Sequence, residues 1–121
     1  MSKRILVVED HEDNRQILRD LLASAGYEMI EAGNGEDGVA AATAEQPDLI
    51  LMDIQLPILD GYEATRQIKA NPALNSIPII VVTSYALSGD EEKARIAGCD
   101  AYVAKPYSPR QLLARIRDFL D

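Results

Sequence analysis

The stretch Asp48-Leu49-Ile50-Leu51-Met52-Asp53-Ile54-Gln55-Leu56-Pro57 decides how this chain folds. Four large apolar residues stand in a row between two aspartates, without alternation of apolar and polar side chains. A strand with one face in water alternates; a strand covered on both faces does not. Residues 49–52 therefore read as a strand inside a two-sided layer, with Asp53 as a carboxylate at its carboxyl end.

Working outward, three further runs have the same character: Ile5-Leu6-Val7-Val8, Ile79-Ile80-Val81-Val82 and Ala101-Tyr102-Val103-Ala104. Residues 28–32 form a weaker strand, expected near an edge. Pro78 fits only the start of its strand, because proline cannot donate to a ladder. Helical patterns fill the intervals. Asp13 with Gln16, Asp60 with Glu63, and Ser88 with Glu91 have capping-box spacing. Ser108-Pro109-Arg110-Gln111 adds a proline at the first helical position. The first helix carries a stripe of Ile17, Leu18, Leu21, Leu22 and Ala25, and Gly26 stops it; the last carries Leu112, Leu113, Ile116, Phe119 and Leu120. Both stripes are expected to pack on the sheet. Five strand–helix alternations predict an α/β fold, a five-stranded parallel sheet with helices on both faces.

Composition agrees with one folded domain spanning residues 1–121: 47% of the 121 residues are hydrophobic and 26% charged. No repeat, low-complexity tract or long linker divides the chain, and no output domain is expected. Cys99 is the single cysteine, so no internal disulfide forms and a reducing compartment suits the protein. The apolar run at residues 5–8 is too short for a signal-peptide core, and no stretch reaches membrane-spanning length. The expectation is a soluble cytoplasmic protein without membrane contact. The net charge of −8 argues against nucleic-acid binding. Nearly all of that charge lies in residues 1–60, which sum to −9, whereas residues 61–121 sum to +1. The acidic half would attract a cation.

In open parallel sheets, ligands bind beyond the carboxyl ends of the strands. The first strand ends in Glu9-Asp10, the third in Asp53, the fourth in Thr83-Ser84 and the fifth in Lys105-Pro106. Three carboxylates, two hydroxyls and an ammonium are thus expected at one edge. Clustered carboxylates raise the cost of ionising one another, and a divalent cation removes that conflict. Magnesium takes oxygen ligands and often combines one or two carboxylates with a phosphoryl group. A carboxylate can itself be the nucleophile that accepts the phosphoryl group. Positive charge and hydroxyl donors then stabilise the transferred oxygens.

With these residues in order, the sequence resembles the receiver domains of bacterial two-component response regulators. Residues 48–57 with Asp60-Gly61 are similar to the family's phosphoacceptor segment. Val7-Val8-Glu9-Asp10, Val82-Thr83-Ser84 and Ala104-Lys105-Pro106 are similar to its other motifs, and the resemblance runs from Lys3 to Leu120. It implies the flavodoxin-like strand order 2-1-3-4-5 and a stand-alone phosphorylation switch. Asp53 would be the phosphoacceptor. Asp10 and Asp53 would ligate Mg2+ with the Gln55 carbonyl, and Glu9 largely through water. Thr83, Ser84 and Lys105 would hold the phosphoryl group, and the Lys105-Pro106 bond would be cis. Thr83 and Tyr102 would form the switch pair, while Tyr85 and Gln55 would tune the phosphoryl lifetime. The implied partners are a histidine kinase or histidine phosphotransfer protein, a downstream protein, and a second copy of the chain in a phosphorylation-linked dimer. The domain would catalyse only its own phosphorylation and slow dephosphorylation.

Two other functions compete. A magnesium-dependent aspartyl phosphatase would need a second aspartate two residues after the first, where Gln55 stands. A phosphorylation-independent docking or dimerisation receiver would tolerate losses in the acidic, hydroxyl and lysine set, yet every position is filled. His11 is read as an exposed loop residue rather than a metal ligand, and Cys99 as structural. Gly33, Gly35 and Gly38 lack the spacing of a phosphate or dinucleotide loop. Arg110, Arg115 and Arg117 make the last helix basic, as a partner surface or an ordinary solvated face.

Overall fold

The computed structural model describes residues 2–83 and 90–121. Strands and helices alternate: β1 Arg4–Val8, α1 Glu12–Ser24, β2 Glu28–Ala32, α2 Gly35–Glu45, β3 Leu49–Asp53, α3 Gly61–Ala70, β4 Ile79–Thr83, α4 Asp90–Ala97, β5 Ala101–Ala104 and α5 Pro109–Leu120. The strands form one parallel sheet in the order β2-β1-β3-β4-β5.

Uninterrupted apolar runs produce two cores because successive side chains of a strand point to opposite faces. Leu6, Val8, Ile50, Met52, Ile79 and Val81 meet Ala42 of α2, Ala64 and Ile68 of α3, and Ala94 of α4. The alternate residues Ile5, Val7, Leu49, Leu51, Ile80 and Val82 meet Leu18 and Leu22 of α1, and Leu112 and Ile116 of α5. Three helices therefore cover one face and two the other. β2 is an edge strand with both glutamates exposed, as its weaker pattern predicts. Pro78 immediately precedes β4, and its carbonyl accepts the Ile50 N–H at 2.9 Å. At the same amino end of β3, Asp48 grips Arg4 twice. Its N–H donates to the Arg4 carbonyl and its carboxylate accepts the Arg4 N–H, each at 2.8 Å.

Helix ends follow local chemistry at three starts. Ser108 and Gln111 form the reciprocal capping box of α5 with Pro109 in its first turn. The Asp60 carboxylate caps α3 by accepting the Glu63 N–H at 2.9 Å. Asn34, which the sequence reading passed over, caps α2 through the Asp37 N–H at 2.7 Å. At α1 the expected cap fails. His11 is the N-cap residue and Asp13 lies inside the first turn. The exit of β1 fixes this start: Glu9 stays buried at the strand end, and its carboxylate accepts the His11 N–H. Asp13 and Glu12 then serve the helix dipole as first-turn acids. The Ser88–Glu91 start lies outside the described residues.

Two stripe residues depart from expectation. Ile17 is 60% exposed and Phe119 37%, whereas Leu18, Leu22, Leu112 and Ile116 are buried. Cys99 is half-buried against the three-helix core, where burial pushes its thiol pKa up. Among the described residues no helix is long and apolar enough to cross a membrane.

Candidate functional site

The parallel register brings the strand ends together. Val8 pairs with Met52, Asp53 with Val82, and Thr83 with Ala104. Glu9-Asp10, Asp53, Thr83 and Lys105 consequently emerge at one edge of the sheet. The Lys105 Nζ donates to Glu9 Oε1 and to Asp53 Oδ2, both at 3.2 Å. Residues 96 and 52 positions away in sequence thus share one ammonium. The Lys105-Pro106 peptide is cis, as the resemblance implies.

Glu9 is buried and well supplied with donors. Asn14 Nδ2 donates to its Oε1 at 2.8 Å, and the Arg15 guanidinium donates to its backbone carbonyl at 2.7 Å. Asp53 Oδ1 accepts the Gln55 N–H at 3.3 Å. Asp10 differs. Among the described residues its buried Oδ1 has no hydrogen-bond partner, and the His11 Nδ1 lies 3.1 Å from it. Ligand atoms of Glu9, Asp10 and His11 all lie within 4.8 Å of one another.

Burial works to raise the pKa of both interior carboxyls. For Glu9, the hydrogen bond shared with Asp53, the Lys105 charge, the hydrogen bond shared with Asp10 and the one donated by Asn14 outweigh it and hold the group down to about 2. For Asp53, burial and the neighbouring Glu9 charge prevail over Lys105 and push the group up to about 6. The two behave as a pair that gives up one proton readily and the second late. Burial would lower the Lys105 pKa, but the charges of Asp53 and Glu9 raise it, so the ammonium stays protonated.

Thr83 ends β4 fully buried, and its carbonyl accepts the Lys105 N–H at 2.7 Å. Tyr102 is half-buried on β5, opposite Val81, against the three-helix core. Ser84 and Tyr85 lie outside the described residues. A cavity of about 360 Å³ opens beside Asp53 and Lys105, between α1 and the start of α5, with Ile17 and Tyr107 among its lining residues.

Sequence reading overlooked three parts of this arrangement. Asn14 and Arg15 support Glu9 from within α1, where only their placement one turn past the acidic pair could have drawn notice. Gly61 was quoted within a motif but given no task. A Cβ there would lie 1.9 Å from the Asp53 carbonyl oxygen, so only glycine lets α3 start against the strand end.

Known proteins are similar to this chain in sequence and fold. The sequence pattern of the response regulator receiver domain matches residues 5–117. The polar-differentiation response regulator DivK of Brucella anthropi is 44% identical over 120 residues, which is 99% of this chain and 98% of the relative. A receiver domain of a Pseudomonas aeruginosa sensor histidine kinase, crystallised with a magnesium ion coordinated in its active site cleft, aligns with a TM-score of 0.93 at 38% identity, covering 99% and 98% of the two chains. A response regulator receiver domain protein from Methanospirillum hungatei gives a TM-score of 0.93 at 34% identity, covering 100% and 95%.

Proposed function

The chain belongs to the response regulator receiver domain family of two-component systems, and from that premise we propose that it is a phosphorylation-dependent switch with Asp53 as phosphoacceptor. The observation that carries this reading is the Lys105 ammonium, 3.2 Å from both Asp53 and Glu9, beside a buried Asp10 oxygen that has no donor among the described residues. Receiver domains are signalling proteins rather than metabolic enzymes.

An excess of carboxylate over ammonium suits a divalent cation, and the undonated Asp10 oxygen suits a ligand atom. Asp10, Asp53 and the Gln55 carbonyl would hold Mg2+ directly. Glu9, whose oxygens already serve Asn14 and Lys105, would act through water. When bound, the ion supplies positive charge to the oxygens of the transferred group.

The remaining chemistry belongs to the chain. The Asp53 carboxylate attacks phosphorus as the phosphorus–nitrogen bond of a phosphohistidine breaks, leaving an acyl phosphate on Asp53 and the electron pair on the donor's imidazole. Lys105 moves from Asp53 to a phosphoryl oxygen and keeps its proton. The Thr83 hydroxyl and the Ser84 amide hold the other oxygens, and the displacement of Thr83 frees space for Tyr102 to turn inward. The donor is a histidine kinase or histidine phosphotransfer protein, and the output is contact with a downstream protein or a second copy. One domain accounts for these steps.

Incubation with a small phosphodonor and Mg2+ tests the assignment. The wild type should gain one hydroxylamine-labile phosphoryl group per chain by intact mass, and Asp53→Ala none. A wild type that stays unmodified would favour a docking receiver, and sustained phosphomonoester turnover would favour a phosphatase.

A further inference from the structure

The Glu9 main chain is fixed on both sides: its N–H donates to the Ala32 carbonyl at 3.0 Å, and its carbonyl accepts from the Arg15 guanidinium at 2.7 Å. Its buried carboxylate is held differently. Oε1 takes two donors at once, the Asn14 Nδ2 at 2.8 Å and the Lys105 Nζ at 3.2 Å. Oε2 takes the His11 N–H at 3.4 Å, a long bond. Of the two donors on Oε1, one is stationary and one is not. Asn14 belongs to the first turn of α1, whereas Lys105 also serves Asp53 and leaves for a phosphoryl oxygen in the transfer proposed above. The cavity of about 360 Å³ lined by Asn14, Asp53 and Lys105 leaves room for that movement.

We propose that Asn14 is a positioning residue for phosphoryl transfer: its amide keeps the Glu9 carboxylate satisfied and in place when Lys105 departs, and so sets how readily the ammonium is released. The proposal rests on the phosphoacceptor reading of Asp53 and adds a residue to it. A buried charged acceptor stripped of its donor is more costly than a neutral one. Without the Asn14 amide, Lys105 is the single donor on Glu9 Oε1 among the described residues, and drawing it away leaves that oxygen bare. The carboxylate then retains the ammonium or follows it, and either response opposes the new contact with the phosphoryl group. With the amide present, the exchange strands nothing. Oε1 keeps one donor, Lys105 gains a new acceptor, and each nitrogen keeps its protons. Arg15 is no substitute, because its guanidinium is engaged with the Glu9 carbonyl, Glu12 and Glu31.

Two substitutions test this role. Asn14→Ala removes the amide at a helical position that favours alanine, although water can enter in its place. Asn14→Leu fills the space without a donor. Each is compared with the wild type in three measurements: phosphorylation rate with a small phosphodonor at saturating Mg2+ by intact mass, affinity for the phosphoryl mimic beryllofluoride at saturating Mg2+ by fluorine NMR, and affinity for Mg2+ alone by calorimetry. Asn14→Leu should lower the rate and the beryllofluoride affinity about tenfold or more, the scale of a buried charge left without its donor. Asn14→Ala should fall between it and the wild type. Affinity for Mg2+ alone should stay within about twofold in both, because Lys105 still holds Glu9 until a phosphoryl group draws it away. Parallel losses in all three measurements would mark a merely structural support and overturn the proposal. Wild-type values in every variant that folds overturn it too, and Asn14→Ala decides the matter if Asn14→Leu does not fold. A wild type that takes up neither a phosphoryl group nor beryllofluoride overturns the phosphoacceptor reading itself, and this role with it.

Discussion

Two lysines stand at opposite ends of the sheet, both in ion pairs, and they teach different things. At the amino end, Lys69 Nζ donates to Asp100 Oδ2 at 2.8 Å and to the carbonyls of Ile77 and Asn75 at 2.9 and 3.2 Å. Asp100 returns the favour to the backbone by accepting the Ile79 N–H at 2.8 Å. The three N–H groups of the ammonium meet three acceptors. At the carboxyl end, Lys105 faces Glu9 and Asp53, with Asp10 beside them, so one positive charge meets three carboxylates. The first is a closed joint between α3, β4 and β5. The second is an open centre, held in an unfavourable charge state that a ligand can relieve. Ion pairing alone does not identify a functional site; surplus charge of one sign does.

Substitutions can break or sharpen that contrast. The largest effect is expected from Gly61→Ala, whose Cβ would collide with the Asp53 carbonyl oxygen and the Ile54 Cα and force α3 away from the open centre. Destabilisation of about 3 kcal/mol is expected from such overpacking, read as a lower urea midpoint. At the closed joint, Asp100→Ala removes the acceptor of both Lys69 and the Ile79 N–H. The expected cost is about 2 kcal/mol, measured in the same way.

At the open centre the sign reverses. The Asp53 pKa rises from 3.8 toward about 6 on folding, so the folded protein holds more protons than the unfolded chain between these values. Stability from this group therefore falls as pH rises through that window. Asp53→Asn removes the penalty and should stabilise the cation-free protein by about 1–2 kcal/mol above pH 6, after allowance for solvent screening. The gain should disappear below about pH 4, and urea titrations across pH check both limbs. If Asp53→Asn destabilises at neutral pH instead, the two ends are not different in kind. The smallest effect belongs to a pair that is neither closed nor open: Arg66→Ala breaks the exposed contact with Glu63 and should leave the urea midpoint unmoved.

Much of this was legible in the sequence, for identifiable reasons. Residues 49–52 and their counterparts reveal buried strands because every side chain meets a core, so no polar residue is tolerated. Asp53, Thr83 and Lys105 follow because strand ends of a parallel sheet share an edge. The start of α1 was hidden, since Asp13 and Gln16 satisfy a local rule while the exit of β1 and the burial of Glu9 decide the outcome. Ile17 keeps helical period yet faces solvent, because period reports a face and not what covers it. The link from Lys105 to Glu9 spans the chain and leaves no local trace.

The grip of Asp48 on Arg4 has one more consequence. A strand that is greasy on both sides carries no phase information, because sliding it by one position exchanges one core's contacts for the other's without exposing polar atoms to oil. The double clasp supplies the missing zero mark. From there β3 acts as a ruler, five residues at roughly 3.3 Å each, and its last graduation delivers the Asp53 carboxylate to the lysine waiting across the sheet.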